Sequence, residues 1–215
     1  MSDLLDTLQS IYTNEYALEL QSVLVFSFII WVVVMIRMRK KKLMYKVVVT
    51  LVIIYLSKVM DYTIFPLPVN NKALESARLI FPFSWESNLQ IIPIFDKNLM
   101  IPMLDKNFRY GVLLALKSHF LNVIMFIPMG MTISFFKESY NGWDVLKKGF
   151  YISLGIEIAQ LTIGLLLGAS SRLFDVNDLI MNTLGAFIGY MIFDKIVAPL
   201  YKMVFKGESI YSIKD

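Results

Sequence analysis

The chain has 215 residues, 57% of them hydrophobic and 18% charged, with a formal net charge of +4 and a mean hydropathy of +0.61. That balance excludes an ordinary soluble domain and fits an integral membrane protein. No cysteine and a single histidine exclude disulfides, thiolate nucleophiles, Cys-ligated zinc and a multi-His metal site, so neither metal nor cofactor is expected.

The surplus positive charge sits in short flanks of apolar runs, as membrane orientation requires, and calls for no nucleic-acid partner. The length leaves room for a single helical domain over residues 1–215. Residues 1–15 are acidic rather than basic, so no cleaved signal peptide is expected. Leu4, Leu5, Leu8, Ile11 and Tyr12 recur at helical spacing behind Ser2 and Asp3, which can cap a first turn. They predict a short helix on the outer surface.

Crossing about 30 Å of hydrocarbon takes about 20 apolar residues per helix. Five segments meet or approach this, at about 16–36, 46–65, 116–136, 149–168 and 178–198. The first is followed by Arg37, Arg39, Lys40, Lys41, Lys42 and Lys46, the densest basic cluster, which marks a cytoplasmic connection and puts the N-terminus outside. Alternation then places Lys137, Lys147 and Lys148, and the terminal Lys195, Lys202, Lys206 and Lys214, on the cytoplasmic side. The expected fold is therefore all-α, a polytopic membrane helical bundle of about five transmembrane helices with a cytoplasmic C-terminus.

The segment from about 66 to 115 belongs outside despite Lys72, Arg78, Lys97, Lys106 and Arg109, because long loops weigh little in the charge rule. Its runs from Leu79 to Phe83 and from Ile91 to Phe95, with Trp85 between them, are apolar and aromatic, while prolines interrupt any long helix. Two readings are open: the segment covers the outer face of the bundle, or it dips into the interface and binds a lipid or amphiphile.

Polar residues are costly in hydrocarbon and are kept there for partner contacts or function. Glu157 and Gln160 lie near the middle of the fourth span, one turn apart on one face. His119 and Asn122 fall in the first outer turns of the third, with Pro128 and Gly130 deeper as a kink. Arg172, Asp175 and Asp178 sit at the external connection between the last two spans, Asn182 one turn inward, and Lys58 and Asp61 near the outer end of the second. All are expected to converge on one pocket facing the exterior.

Each has a structural alternative. Lys58 and Asp61 can be a local ion pair. Arg172 with Asp175 can fix a loop, Asp178 can cap the fifth helix, and Asn182 can bond a neighbouring helix. His119 is an acid or base, or simply a hydrogen-bonded histidine at a helix end. Gly185 and Gly189 form a small-xxx-small face for close helix packing. Glu157, as a mid-membrane carboxyl, must pair, as with His119 or Arg172, or stay protonated.

The pattern His119-x-x-Asn122-x-x-x-Phe126-x-Pro128-x-Gly130, then Glu157-x-x-Gln160, then Arg172-x-x-Asp175-x-x-Asp178-x-x-x-Asn182-x-x-Gly185-x-x-x-Gly189 resembles the VanZ-like family. Asn88-Leu89-x-Ile91-x-Pro93-Ile94-Phe95 is similar to that family's Asn-Leu-x-Pro-Phe element, here with insertions. The resemblance covers about residues 45–200 and implies a bacterial cell-membrane protein linked to lower susceptibility to lipoglycopeptide antibiotics such as teicoplanin. It implies no established reaction.

An acylated antibiotic works at the outer leaflet, toward which the expected pocket faces. The leading expectation is therefore binding of an amphiphile, either the antibiotic or a lipid-linked wall precursor. Lys58 and Arg172 would meet anionic head groups, and Asn122, Glu157, Gln160, Asp178 and Asn182 would bind the polar part. The alternative is an intramembrane hydrolase or transferase using His119, Glu157, Asp175 and Asp178 as acids and bases and Arg172 to stabilise negative charge. No serine, cysteine or metal constellation supplies its nucleophile. A third reading is a structural partner of cell-wall synthesis proteins.

Overall fold

A computed structural model of the chain describes residues 19–65, 67–68, 71–91, 108–170 and 172–214. The expected surface helix near the N-terminus, Lys97, Lys106 and residues 92–95 of the segment expected outside lie beyond the described residues. The described chain is all-α apart from two short pairings. Its elements are α1 (Glu19–Arg37), α2 (Leu43–Thr63), α3 (Asn71–Ile80), α4 (Trp85–Asn88), α5 (Phe108–Phe136), α6 (Gly142–Leu167), α7 (Val176–Ile192), a π turn (Phe193–Val197), α8 (Ala198–Val204) and a terminal 3-10 turn (Ile210–Lys214). Two-residue strands β1 (Leu89–Gln90) and β2 (Phe174–Asp175) pair with each other.

Four helices are long and apolar enough to cross a membrane, Leu43–Thr63, Lys117–Phe136, Gly142–Leu167 and Val176–Val204, and Val23–Arg37 is a shorter apolar helix. These correspond to the five expected segments. At the start of the fourth span the bounds differ because of a polar cap. Hydropathy alone starts the fourth span near 149, but the Asn141 side chain accepts from the Asp144 amide while the Asp144 side chain accepts from the Asn141 amide, and this reciprocal box starts α6 at Gly142.

By contact density the chain divides into two compact units, one comprising residues up to Leu89 with Ile156–Phe174, the other Gln90–Gly155 with Asp175–Asp215. In the first unit α1 and α2 form a hairpin. Trp31 Nε1 donates to Thr50 Oγ1 at 2.9 Å, and the hydroxyls of Ser27 and Ser57 are hydrogen-bonded. Thr50, Ser57 and Thr63 each also donate to the carbonyl four residues earlier, so their hydroxyls are satisfied without water. Leu24, Phe26, Phe28 and Ile30 remain exposed, as suits a helix surrounded by acyl chains.

The segment that follows α2 in this unit is anchored to the end of α6. Arg78 Nε donates to the carbonyl of Leu167 at 2.7 Å, Ser170 N to Phe81 O at 2.7 Å and Phe83 N to Gly168 O at 3.2 Å. Pro82 pairs with Ala169 in an isolated antiparallel bridge. The helix stops at Ile80 because Pro82 cannot continue it.

In the second unit α5 and α7 pack backbone to backbone. A β-carbon on Gly130 would overlap the Ala186 carbonyl, and one on Gly185 or Gly189 would overlap the carbonyl of Val123 or Ile127. Gly149 of α6 meets the Ala186 methyl in the same way. The expected packing role of Gly185 and Gly189 is thus met, and Gly130 proves to be a third such position, on a helix that continues through Pro128. The C-terminal turn docks on this unit through buried Ile210 and Ile213 and through Tyr211, whose hydroxyl donates to Ser134 O.

Candidate functional site

The polar side chains form small clusters, each held by identifiable bonds. On α6, Ser153, Glu157 and Gln160 are buried at helical spacings of four and three residues, forming a polar stripe within the apolar part of the helix. Glu157 is only 1% exposed. A carboxyl so deep in a membrane helix is costly unless it is partnered or used.

In the first unit, Gln160 Nε2 donates to the carbonyl oxygen of Thr63 at 2.8 Å. That carbonyl lies at the last turn of α2, where helical partners run out. Arg172 serves the same helix end: its Nη2 donates to Tyr62 O at 2.8 Å and reaches Phe65 O at 3.5 Å, with the guanidinium 5.7 Å from the Tyr62 ring centroid. Charge-assisted bonds of this kind contribute about 1.5–3 kcal/mol each. Asn88, fully buried, donates from Nδ2 to Arg172 O at 3.4 Å and accepts from Ser84 N. Lys58 and Asp61 lie 3.3 Å apart as an i, i+3 pair, with Lys58 61% exposed.

In the second unit, Asn122 Nδ2 donates to the Asp178 carboxylate at 2.5 Å, joining α5 to α7. Asn182, one turn further along α7, donates from Nδ2 to Ser153 Oγ at 2.9 Å on α6. The expected interhelical bond of Asn182 is thereby found, with a partner the sequence reading passed over. The cap of α7 is Asp175, whose side chain accepts from Asn177 N at 2.7 Å and from Asn177 Nδ2 at 3.0 Å. This corrects the expectation that Asp178 caps the helix: the extended backbone of Asp175, at φ −124° and ψ 120°, is the N-cap geometry. Asp178 is instead in the first turn, where a carboxylate also complements the helix dipole.

Three buried side-chain atoms receive no hydrogen bond from any described residue: His119 Nδ1, Gln160 Oε1 and Asn182 Oδ1. All three belong to residues singled out in the sequence. Leaving a buried polar atom open costs about 1–3 kcal/mol, so such atoms in a folded chain point to a missing partner.

Thr63, Tyr62, Ser153 and Asn88 complete these clusters, and of them only Asn88 belongs to the family-like pattern. Ser153 was signalled by its spacing of four residues before Glu157. Thr63 and Tyr62 carried no signal, because they take part through backbone carbonyls that every residue possesses.

Among known proteins, the family model described as VanZ/LLP1 matches residues 52–198, more than half of the chain and all the clusters above. No curated protein matches the chain, and no solved structure does.

Proposed function

Since the chain belongs to the VanZ/LLP1 family, we propose that it is a multi-pass cell-membrane protein of bacteria that lowers susceptibility to lipoglycopeptide antibiotics of the teicoplanin kind. It does so by binding an amphiphile of the outer leaflet, either the acylated antibiotic or a lipid-linked wall precursor, so that less drug captures its target. In the first unit the polar part of that amphiphile would meet Glu157, Gln160 and Arg172, with Lys58 at the outer end of α2; in the second unit Asn122, Asp178 and Asn182 would offer polar contacts of their own. The charge pattern of the connections puts the N-terminus outside and the C-terminus in the cytoplasm.

The observation that supports binding is the state of the two buried amides. Gln160 and Asn182 each have one amide atom bonded within the protein and the other open among the described residues. A helix that needed these amides only for packing would satisfy both ends or replace them by apolar groups.

The test is resistance of cells that carry Glu157→Gln or Asp178→Asn at unchanged membrane abundance. Binding predicts a return toward the susceptibility of cells lacking the protein. Full retention of resistance by both variants would overturn it.

A further inference from the structure

Gln160 is fixed at one end of its amide and open at the other. A carbonyl oxygen can only accept, so the 2.8 Å contact with Thr63 O assigns Nε2 to that side of the side chain and Oε1 to the other. Oε1 is thus an acceptor. It is buried, in a residue 9% exposed, and no described residue donates to it.

One turn earlier on the same face of α6 stands the Glu157 carboxyl, 1% exposed. Side chains at this spacing are neighbours, with about 5–6 Å between their Cβ atoms. Gln160 Oε1 therefore offers an acceptor to whatever donor meets it beside Glu157. A phosphate oxygen or an ester carbonyl cannot pair with Oε1, whereas a hydroxyl or amino proton can.

We propose that Gln160 Oε1, flanked by Glu157, is the seat of a hydrogen-bond donor on the head of the bound amphiphile. The ligand class is accordingly a lipid whose head carries hydroxyl or amino protons, a glycosyl or an amine head, and not one whose head offers acceptors alone. This rests on the amphiphile-binding reading and specifies it. Thr63 acts as the positioning residue: its carbonyl holds the amide so that the oxygen is turned toward the ligand. Replacing the donor by a head without one leaves Oε1 unpaired, which is the strongest kind of discrimination a buried amide can exert.

The experiment uses the full chain in nanodiscs of phosphatidylcholine, whose head has no hydroxyl or amino proton. The bilayer is doped either with phosphatidylethanolamine or with monoglucosyl diacylglycerol, and the lipids that stay bound are counted by native mass spectrometry. The wild type should enrich a donor-bearing lipid roughly five- to tenfold over its share of the bilayer, the selectivity one buried hydrogen bond supplies. Enrichment of the glucolipid alone assigns a glycosyl head, and of phosphatidylethanolamine alone an amine. Enrichment of both supports the donor class as a whole.

Gln160→Met should abolish the enrichment. Gln160→Glu, whose protonated carboxyl can still donate to Thr63 and keep a second oxygen open, should retain it. No enrichment in the wild type, as when water alone fills the site, or equal enrichment in Gln160→Met overturns the proposal. The wild-type ratio decides this whatever Gln160→Met does to folding. Lipid retained without regard to donors sinks this inference and leaves the amphiphile reading standing, whereas no retained lipid at all removes both.

Discussion

Gly130 of α5 faces the main-chain carbonyl of Ala186 on α7 so closely that no β-carbon fits between them. The same contact recurs twice in register, at Gly185 with Val123 and at Gly189 with Ile127. In lipid, where apolar side chains gain nothing by leaving their surroundings, such close backbone packing is what holds helices together. Gly130→Ala, Gly185→Ala and Gly189→Ala should each destabilise the protein by about 1–3 kcal/mol, the usual cost of overpacking, seen as a lower thermal midpoint in detergent. Gly155→Ala is the control: nothing lies within 4 Å of its new methyl, and the higher helix propensity of alanine should leave stability equal or raise it by up to about 1 kcal/mol.

Asn122 and Asp178 form the polar bond across the same helix pair. A double-mutant cycle of Asn122→Leu and Asp178→Leu, read by unfolding in mixed micelles, should give a coupling of about 0.6 kcal/mol and no more than about 1.7 kcal/mol, the range of interhelical bonds in membranes. A coupling near zero would show that the two side chains find equally good partners apart.

Gly168 ends α6 in the left-handed region, at φ +66°, with Arg78 Nε 3.3 Å from where a β-carbon would stand. Gly168→Ala should cost about 1–2 kcal/mol from the backbone alone. It should also disturb the bond from Arg78 to Leu167, so proteolysis within residues 71–91 should quicken. Unchanged stability and unchanged cleavage would contradict this account of the turn.

Tyr211 gives the docked C-terminal turn a dependence on pH. Burial, reinforced by the nearby negative charges of Glu138 and Asp194 and by Tyr190, raises its pKa above the usual value of 10.0. An unfolded chain releases this proton first, so the folded state holds more protons at pH values between the two pKa values and loses stability as pH rises. The contribution is whole below pH 10 and is lost as pH passes through the raised folded value. In the tyrosinate absorbance difference between wild type and Tyr211→Phe, the missing phenol should titrate above pH 10. Titration at or below pH 10 would show that the turn is not docked as described.

Lys58 is 61% exposed in its pair with Asp61, and exposed pairs contribute about 0–1 kcal/mol. Lys58→Gln should leave the thermal midpoint nearly unchanged yet reduce protection against the antibiotic, if Lys58 meets an anionic head group as proposed. Unaltered protection would reduce Lys58 to a surface ion pair.

The clusters differ in how far the sequence could reveal them. Glu157, Gln160, Asn122, Asp178 and Asn182 were visible because a polar residue inside an apolar run stands out by its cost. That Asp175 rather than Asp178 caps α7 was not legible, since both suit a cap by residue type and only the backbone angles separate them. The close packing of Gly130 on α7 was not legible, because a glycine two residues after a proline carries no local sign of the helix that will pack against it.

The amino-acid order alone determined the class of the protein, the number and approximate bounds of its membrane helices and the short list of polar residues within them. Hydropathy and helical periodicity are properties of a chain read in one dimension, so one sequence suffices. The tertiary structure alone decided which partner each polar group takes: Gln160 meets a carbonyl at Thr63, Arg172 closes the end of α2 at Tyr62, and Asn182 reaches Ser153. Those pairings depend on distances between residues far apart in the chain, and a backbone carbonyl, the same in every residue, becomes a partner only when the fold brings it within reach.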